Sequence, residues 1–200
     1  ELDPISSLAY FGRSLAYKAK SDWERVAKDL SKAIELKSDM VVFYYNRSEA
    51  YSMLGKFELS NVDLSQLLQL RPNAPEAYLA RGTNYRYLGN YDRAIADLST
   101  FIEYEPKVPA GYIRRGLAYR DSYKYEAAIS DLSEAIELDP TNIIPKRYRG
   151  GAFTKIGKYE EAIRDFNEVL AKDPKSLYAL IGRAGAFADT GELSKAKADL

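Results

Sequence analysis

The 200-residue sequence contains no cysteine and no histidine. Their absence removes disulfides, thiolate nucleophiles, imidazole bases and the usual zinc ligands together, so no metal, redox or cofactor site is expected. A cysteine-free chain is compatible with any redox compartment. Net charge is also missing: 29 Lys+Arg balance 29 Asp+Glu, which leaves no global field to draw in nucleic acid or an anionic membrane. Any electrostatic selectivity has to be local. No window approaches the ~18 uninterrupted apolar residues of a membrane span, and the N-terminus lacks the basic, apolar, small-residue order of a signal peptide. The sequence therefore reads as soluble, with no membrane-inserted segment.

Without histidine or cysteine, an enzyme would be left with carboxylate, lysine, tyrosine or hydroxyl chemistry, and no constellation of that kind is present. Gly157-Lys158 fails as a phosphate-binding loop, because Ala152 stands where its first glycine belongs and Tyr159 replaces the serine or threonine. The adjacent Glu160 and Glu161 sit at a helix start, where acidic residues suit the helix dipole. The chain is expected not to be an enzyme.

What is present is a period. Asn84-Tyr85, Leu117-Ala118-Tyr119 and Ala152-Phe153 stand at one fixed spacing before Gly89-Asn90-Tyr91, Tyr123-Lys124-Tyr125 and Gly157-Lys158-Tyr159, and the pattern returns every 34 residues without insertion. The units are 7–40, 41–74, 75–108, 109–142 and 143–176, with a truncated sixth at 177–200 and residues 1–6 fitting the tail of a preceding unit.

Each column of this alignment has a physical job. Position 8 is small (Ser14, Ser48, Gly82, Gly116, Gly150, Ala184) and position 20 mostly so (Val26, Ser60, Ala94, Ala128, Ala162, Ala196), which lets two helices approach closely. Position 11 is Tyr17, Tyr51, Tyr85, Tyr119, Phe153 and Phe187, and position 24 is Leu30, Leu64, Leu98, Leu132, Phe166 and Leu200. Large apolar residues at helical spacing mark the core.

Proline at position 32 (Pro72, Pro106, Pro140, Pro174, and the leading Pro4) stops the second helix, with Ser38 the exception. Gly55, Gly89, Gly157 and Gly191 end the first helix where a left-handed backbone is cheap, and Ser21 and Tyr123 must manage otherwise. The spacing predicts first helices near 8–20, 42–54, 76–88, 110–122, 144–156 and 178–190. Second helices fall near 24–37, 58–71, 92–105, 126–139, 160–173 and from 194 onward. Pro109 and Pro145 fall in first turns, where a missing donor costs little.

Gly82, Tyr85, Gly89, Tyr91, Ala94, Leu98 and Pro106, at this period, resemble the signature of the tetratricopeptide repeat family, and the resemblance covers the whole chain. It implies an all-α, right-handed superhelical solenoid of antiparallel helix-turn-helix repeats whose concave wall is lined by the first helices. It also implies a protein-protein interaction scaffold, which binds a peptide or partner segment in that groove. The Glu-Leu-Asp-Pro of residues 1–4 recurs at 137–140, which suggests that the chain begins mid-array. The last helix stops at Leu200 without a polar cap, so Leu193, Ala196 and Leu200 are expected to lack a covering neighbour, and further repeats or another domain are expected to follow.

Arginine occupies position 7 in every unit (Arg13, Arg47, Arg81, Arg115, Arg149, Arg183) and aspartate position 23 (Asp29, Asp63, Asp97, Asp131, Asp165, Asp199). In a hairpin that turns near position 16 these two positions face one another, so salt bridges are expected. A rival reading makes the arginines a track for phosphates or acidic peptides. An aspartate in lockstep favours the bridge, and on that reading Arg115→Ala should cost more stability than binding.

The groove-facing positions implied by the resemblance are largely apolar or neutral in the first two units, where Tyr45 and Asn46 stand. In the third to fifth they carry Arg86, Tyr87, Arg114, Arg120, Arg147, Tyr148 and Lys155, against only Glu76 and Asp121. Basic residues interleaved with tyrosine suit an acidic or carboxylate-bearing segment with aromatic or apolar anchors. The two-carboxylate clamp used by chaperone-tail receptors of the family is not supported. Asn46 is placed for it, but Phe11, Leu15, Glu76 and Ala80 stand where its lysines, asparagine and arginine belong. Alternatives are a self-assembly module or an accessory region of a larger enzyme, and neutral charge argues against a nucleic-acid partner.

Overall fold

A helix in this chain can bury only one stripe of apolar residues, so it needs a neighbour on that side. The computed structural model, which describes residues 6–200, meets that need with hairpins. Twelve helices occur among the described residues: α1 (Ser7–Ala19), α2 (Trp23–Leu36), α3 (Val41–Met53), α4 (Phe57–Leu70), α5 (Pro75–Tyr87), α6 (Tyr91–Tyr104), α7 (Pro109–Asp121), α8 (Tyr125–Leu138), α9 (Ile143–Lys155), α10 (Tyr159–Lys172), α11 (Leu177–Asp189) and α12 (Leu193–Ala198). Each odd-numbered helix begins 34 residues after the last. All begin one residue earlier than the sequence pattern predicts, so that Pro75 and Pro109 are the first residues of their helices, where a missing donor costs little. The expected tail of a preceding repeat falls mostly on residues 1–5, which, with Pro4, lie outside the described residues.

The chain divides into two compact units, residues 1–101 and 102–200. In the first, α1 packs on α2 and α3 on α4, with α2 on α3 and α4 on α5 joining successive hairpins. In the second, α7–α8, α9–α10 and α11–α12 pair in the same way, with α8 on α9 and α10 on α11 between them. There α7 also touches α9 and α9 touches α11, so the first helices of this unit form one continuous face.

The cores lie between hairpins as much as within them. Val26, Leu30 and Ala33 of α2 close on Phe43 and Ala50 of α3. Leu64, Leu67 and Leu68 of α4 close on Ala77 of α5, and Phe166, Val169 and Leu170 of α10 on Ala179 of α11. Each fully buried Leu or Phe contributes about 1.5–3 kcal/mol. Removing a neighbouring hairpin would return much of that surface to water.

The small position-8 residues touch large position-24 ones. A Cβ on Gly82 would sit 2.8 Å from Leu98 Cγ and 3.1 Å from the Ala94 carbonyl oxygen, and one on Gly150 would sit 2.9 Å from Phe166 Cε1. Where the sequence places serine instead, the hydroxyl turns inward: Ser14 donates to the Phe11 carbonyl at 2.6 Å and Ser48 to that of Tyr45 at 2.7 Å.

Every first helix ends with a left-handed residue, glycine or not. Gly55, Gly89, Gly157 and Gly191 have φ between 71° and 82°, while Ser21 and Tyr123 take the same conformation at φ 57° and 62°. The two non-glycine residues therefore find no other route. The following amide, as in Lys124 N–H to the Tyr119 carbonyl at 2.8 Å, closes the same six-residue cap in both cases.

The arginine and aspartate columns meet as expected. Arg47, Arg81 and Arg149 grip Asp63, Asp97 and Asp165 through both Nε and Nη2 at 2.7–2.8 Å. Arg13, Arg115 and Arg183 do the same with Asp29, Asp131 and Asp199. The aspartate hydrogen bond holds the guanidinium pKa of Arg81, Arg115 and Arg149 above its ordinary value. Burial pushes the Asp63 carboxyl upward, against the pull of Arg47.

A second contact was not foreseen. The remaining Nη1 of Arg47, Arg81 and Arg149 donates to Ser31, Ser65 and Ser133 of the preceding second helix at 2.9–3.0 Å, and that of Arg183 to Asn167. Each of these clips thus stitches two hairpins as well as closing one.

At the chain end, Leu193 and Leu200 are exposed, as are Leu177 and Ile181 of α11. Ala196 departs from expectation: it is buried, because a small residue at position 20 packs on α11 within its own hairpin. No described helix is long and apolar enough to cross a membrane.

Candidate functional site

The first-helix residues singled out by sequence divide between the two units. In residues 1–101, Tyr45 on α3 is exposed, and burial of its inner half, followed by Glu49 and Glu76, raises its phenol pKa. Asn46 beside it is buried. Its amide donates to the Val42 carbonyl at 2.8 Å, and its oxygen accepts from Lys18 Nζ at 3.4 Å. Lys18 is itself paired with Glu49. Asn46 is thus engaged inside the protein, in keeping with the lack of the other clamp residues. Arg86 on α5 lies over the Tyr87 ring at 5.0 Å, and Tyr87 stacks on Phe57 with centroids 5.0 Å apart and an interplanar angle of 13°.

In residues 102–200 the arrangement is denser. Tyr148 on α9 is flanked by two guanidiniums, Arg120 of α7 and Arg147 of its own helix, each with Cζ 4.8 Å from the ring centroid. Arg147 also lies 5.7 Å from the ring of Tyr178 and donates from Nη2 to the Tyr148 hydroxyl at 3.0 Å. The two tyrosine rings meet edge to face at 5.8 Å. Lys155 ends α9 at the exposed surface and Arg114 is exposed on α7.

Two members of this cluster differ in how their charge is met. Arg120 holds Asp121 through Nε at 3.0 Å and Nη2 at 2.7 Å. Arg147 forms no ion pair among the described residues, and its buried Nε has no hydrogen-bond partner. Every arginine of the position-7 ladder, by contrast, is bidentate to an aspartate. Stacking on an aromatic face offsets part of the cost of an uncompensated guanidinium, and a carboxylate is the group that its geometry fits.

Tyr178, at position 2 of the sixth unit, was not among the residues nominated from sequence. Its hydroxyl reaches over Gly151, where a Cβ would stand only 2.5 Å from that oxygen. The signal was available in the columns: position 9 carries Leu15, Glu49, Thr83 and Leu117 before it becomes Gly151. That loss of a side chain makes room for a ring from the next hairpin. No group of His, Cys, Asp or Glu able to hold a metal ion occurs among the described residues.

A profile described as tetratricopeptide repeat matches residues 79–143 and 150–199, together more than half of the chain. The chain belongs to the tetratricopeptide repeat family. No curated protein matches it. Among solved tetratricopeptide repeat structures, one from Parabacteroides merdae superposes with a TM-score of 0.85 at 20% identity, over 96% of this chain and 77% of that one. MamA from Desulfovibrio magneticus gives 0.81 at 20% identity, over 88% of this chain and 98% of that one. YrrB, described as having an unusual peptide-binding site, gives 0.76 at 17% identity, over 89% and 92%. At these identities the likeness concerns the tetratricopeptide repeat fold alone.

Proposed function

We propose that the first-helix face of residues 102–200 holds an acidic or carboxylate-bearing segment of a partner protein, with Arg147 and Arg120 as its anchors. The observation that carries the reading is Arg147: a guanidinium packed against two tyrosine rings, with no carboxylate of its own and a buried Nε left unbonded. Arg147 is partly exposed, so a partner carboxylate can pair with its guanidinium. Tyr148 and Tyr178 offer aromatic faces to a neighbouring apolar side chain. Exposed Arg114 and Lys155 add positive charge that speeds encounter more than it tightens the complex. Arg86 and Tyr87 offer a smaller, similar pairing on α5.

The test is fluorescence anisotropy with a labelled peptide alternating glutamate with leucine and tyrosine. Arg147→Glu should weaken binding by more than about tenfold, which corresponds to ~1.4 kcal/mol. Binding should also weaken with salt. A polyanionic RNA that binds as well as the peptide, with a steeper salt dependence, would favour a nucleic-acid partner instead. Unchanged peptide affinity in Arg147→Glu would reject the site. Self-association is a second reading, favoured by the exposed Leu177, Ile181 and Leu193. Light scattering at several concentrations separates it.

A further inference from the structure

One junction breaks the period. Position 10 is alanine in five of the six units (Ala16, Ala50, Ala118, Ala152, Ala186) but Asn84 in the third, and position 21 is Ala27, Ile95, Ile129 and Ile163 but Asn61 in the second. Position 20, largely alanine, is Ser60 in that same second unit. These departures fall at one place, where α4 meets α5, and they bond to one another. Asn84 Nδ2 donates to Ser60 Oγ at 2.8 Å and to Asn61 Oδ1 at 3.0 Å. Ser52 Oγ lies 2.9 Å from Ser60 Oγ and donates to Asn84 Oδ1 at 3.2 Å.

The network does not close. Asn61 is 7% exposed, yet its Nδ2 has no hydrogen-bond partner. An apolar residue here, as in four other units, would avoid that cost. Directly over it runs a groove of about 590 Å³ lined by α4, the end of α5 and the start of α6. Asn61, Gln66, Gln69 and Asn90 bring carboxamides, Val62 and Leu88 apolar surface, and Glu58 and Arg93 one charge of each sign. The α4 wall from Glu58 to Gln69 is about 16 Å long at 1.5 Å per residue, the reach of about five extended residues.

We infer that this groove is a second binding site, for an extended and uncharged segment of a partner protein. Carboxamides match a peptide main chain, because each offers both a donor and an acceptor. Asn61 lines this groove, and a rotation of its amide that gives up the Asn84 bond presents Nδ2 to a main-chain carbonyl laid on the groove floor. An apolar side chain of the segment rests on Val62, which is 65% exposed. The balanced charge of the lining disfavours a strongly anionic ligand, so the site selects against the acidic segments assigned to α7 and α9.

The test uses a phage-displayed library of random seven-residue peptides, panned on the whole chain. An uncharged class of peptides should be enriched beside any acidic ones, and its members should bind about tenfold or more weakly to Val62→Arg, a surface change that leaves the fold intact, and to Asn61→Ile. They should retain full affinity for Arg147→Glu, which keeps this inference separable from the proposed acidic site. Failure to enrich any uncharged peptide, or uncharged peptides that bind Val62→Arg and wild type equally, would overturn it. A Val62→Arg variant that changes the mass seen by light scattering would also overturn it, because the occupant would then be a second copy.

Discussion

Truncating Arg149 separates a structural arginine from a binding one. Arg149 grips Asp165 at 2.8 and 2.7 Å, bonds Ser133 at 2.9 Å and lies 5.6 Å from the Phe153 ring. The Asp165 side chain is only 4% exposed, and that of Arg149 is 21% exposed. Removing one partner of a buried pair costs about 3–5 kcal/mol, because the other charge is left without compensation. The solvent-facing edge of the guanidinium reduces this, so Arg149→Ala is expected to cost about 3 kcal/mol. At about 2–4 °C per kcal/mol for a chain of this size, the melting temperature should drop by about 6–12 °C in a circular-dichroism melt. Arg149→Met with Asp165→Leu should recover most of the loss, since no charge then remains buried. Acidic-peptide affinity, measured where both proteins are folded, should stay within about twofold of wild type. A drop below about 0.5 kcal/mol, or a loss of affinity without a loss of stability, would refute the clip and restore the arginine track.

Tyr123→Gly should raise stability by about 0.5–1 kcal/mol in a denaturant titration, because glycine takes the left-handed backbone without the Cβ penalty that Tyr123 bears. Gly82→Val should cost about 1–3 kcal/mol, since even its first carbon would meet Leu98 at 2.8 Å. Arg47→Met removes the pull that opposes burial at Asp63, so the carboxyl pKa, already raised, rises further. A raised folded-state pKa favours folding at pH below the unfolded value of about 3.9, and that advantage is lost as pH rises through the folded value. The melting-temperature gap between Arg47→Met and wild type should therefore be widest at neutral pH and shrink on acidification toward the ordinary carboxylate range. A gap that widens on acidification would contradict the assignment.

The hairpins were legible because each job recurs. Gly82, Leu98, Pro106 and the Arg81–Asp97 pair announce themselves by returning every 34 residues, so one chain serves as its own alignment. The serine column of Ser31, Ser65 and Ser133 was equally visible, but its role depends on which helix each arginine's spare nitrogen faces, and that is a fact of packing. The nominated Arg120, Arg147 and Tyr148 do come together, on α7 and α9. Tyr178 was missed because its approach depends on an absent side chain at Gly151. Asn46 looked groove-facing by position, yet its amide is turned back to its own helix. Position fixes a residue's face, and side-chain rotation decides what it presents there. Asn61 and Asn84 depart from columns that otherwise repeat, and a departure that occurs once carries no recurrence to announce its role.

Arg147 is proposed to take a partner's carboxylate, whereas the ladder arginines are already paired within the chain. Side-chain Nε–H spectra of the nitrogen-15-labelled protein, titrated with the glutamate-rich peptide, test it directly. The Arg147 Nε–H signal should shift and gain protection from exchange with water as peptide is added, while that of Arg149 stays in place. An unmoved Arg147 signal at saturating peptide, or an Arg149 signal that moves instead, would contradict the account.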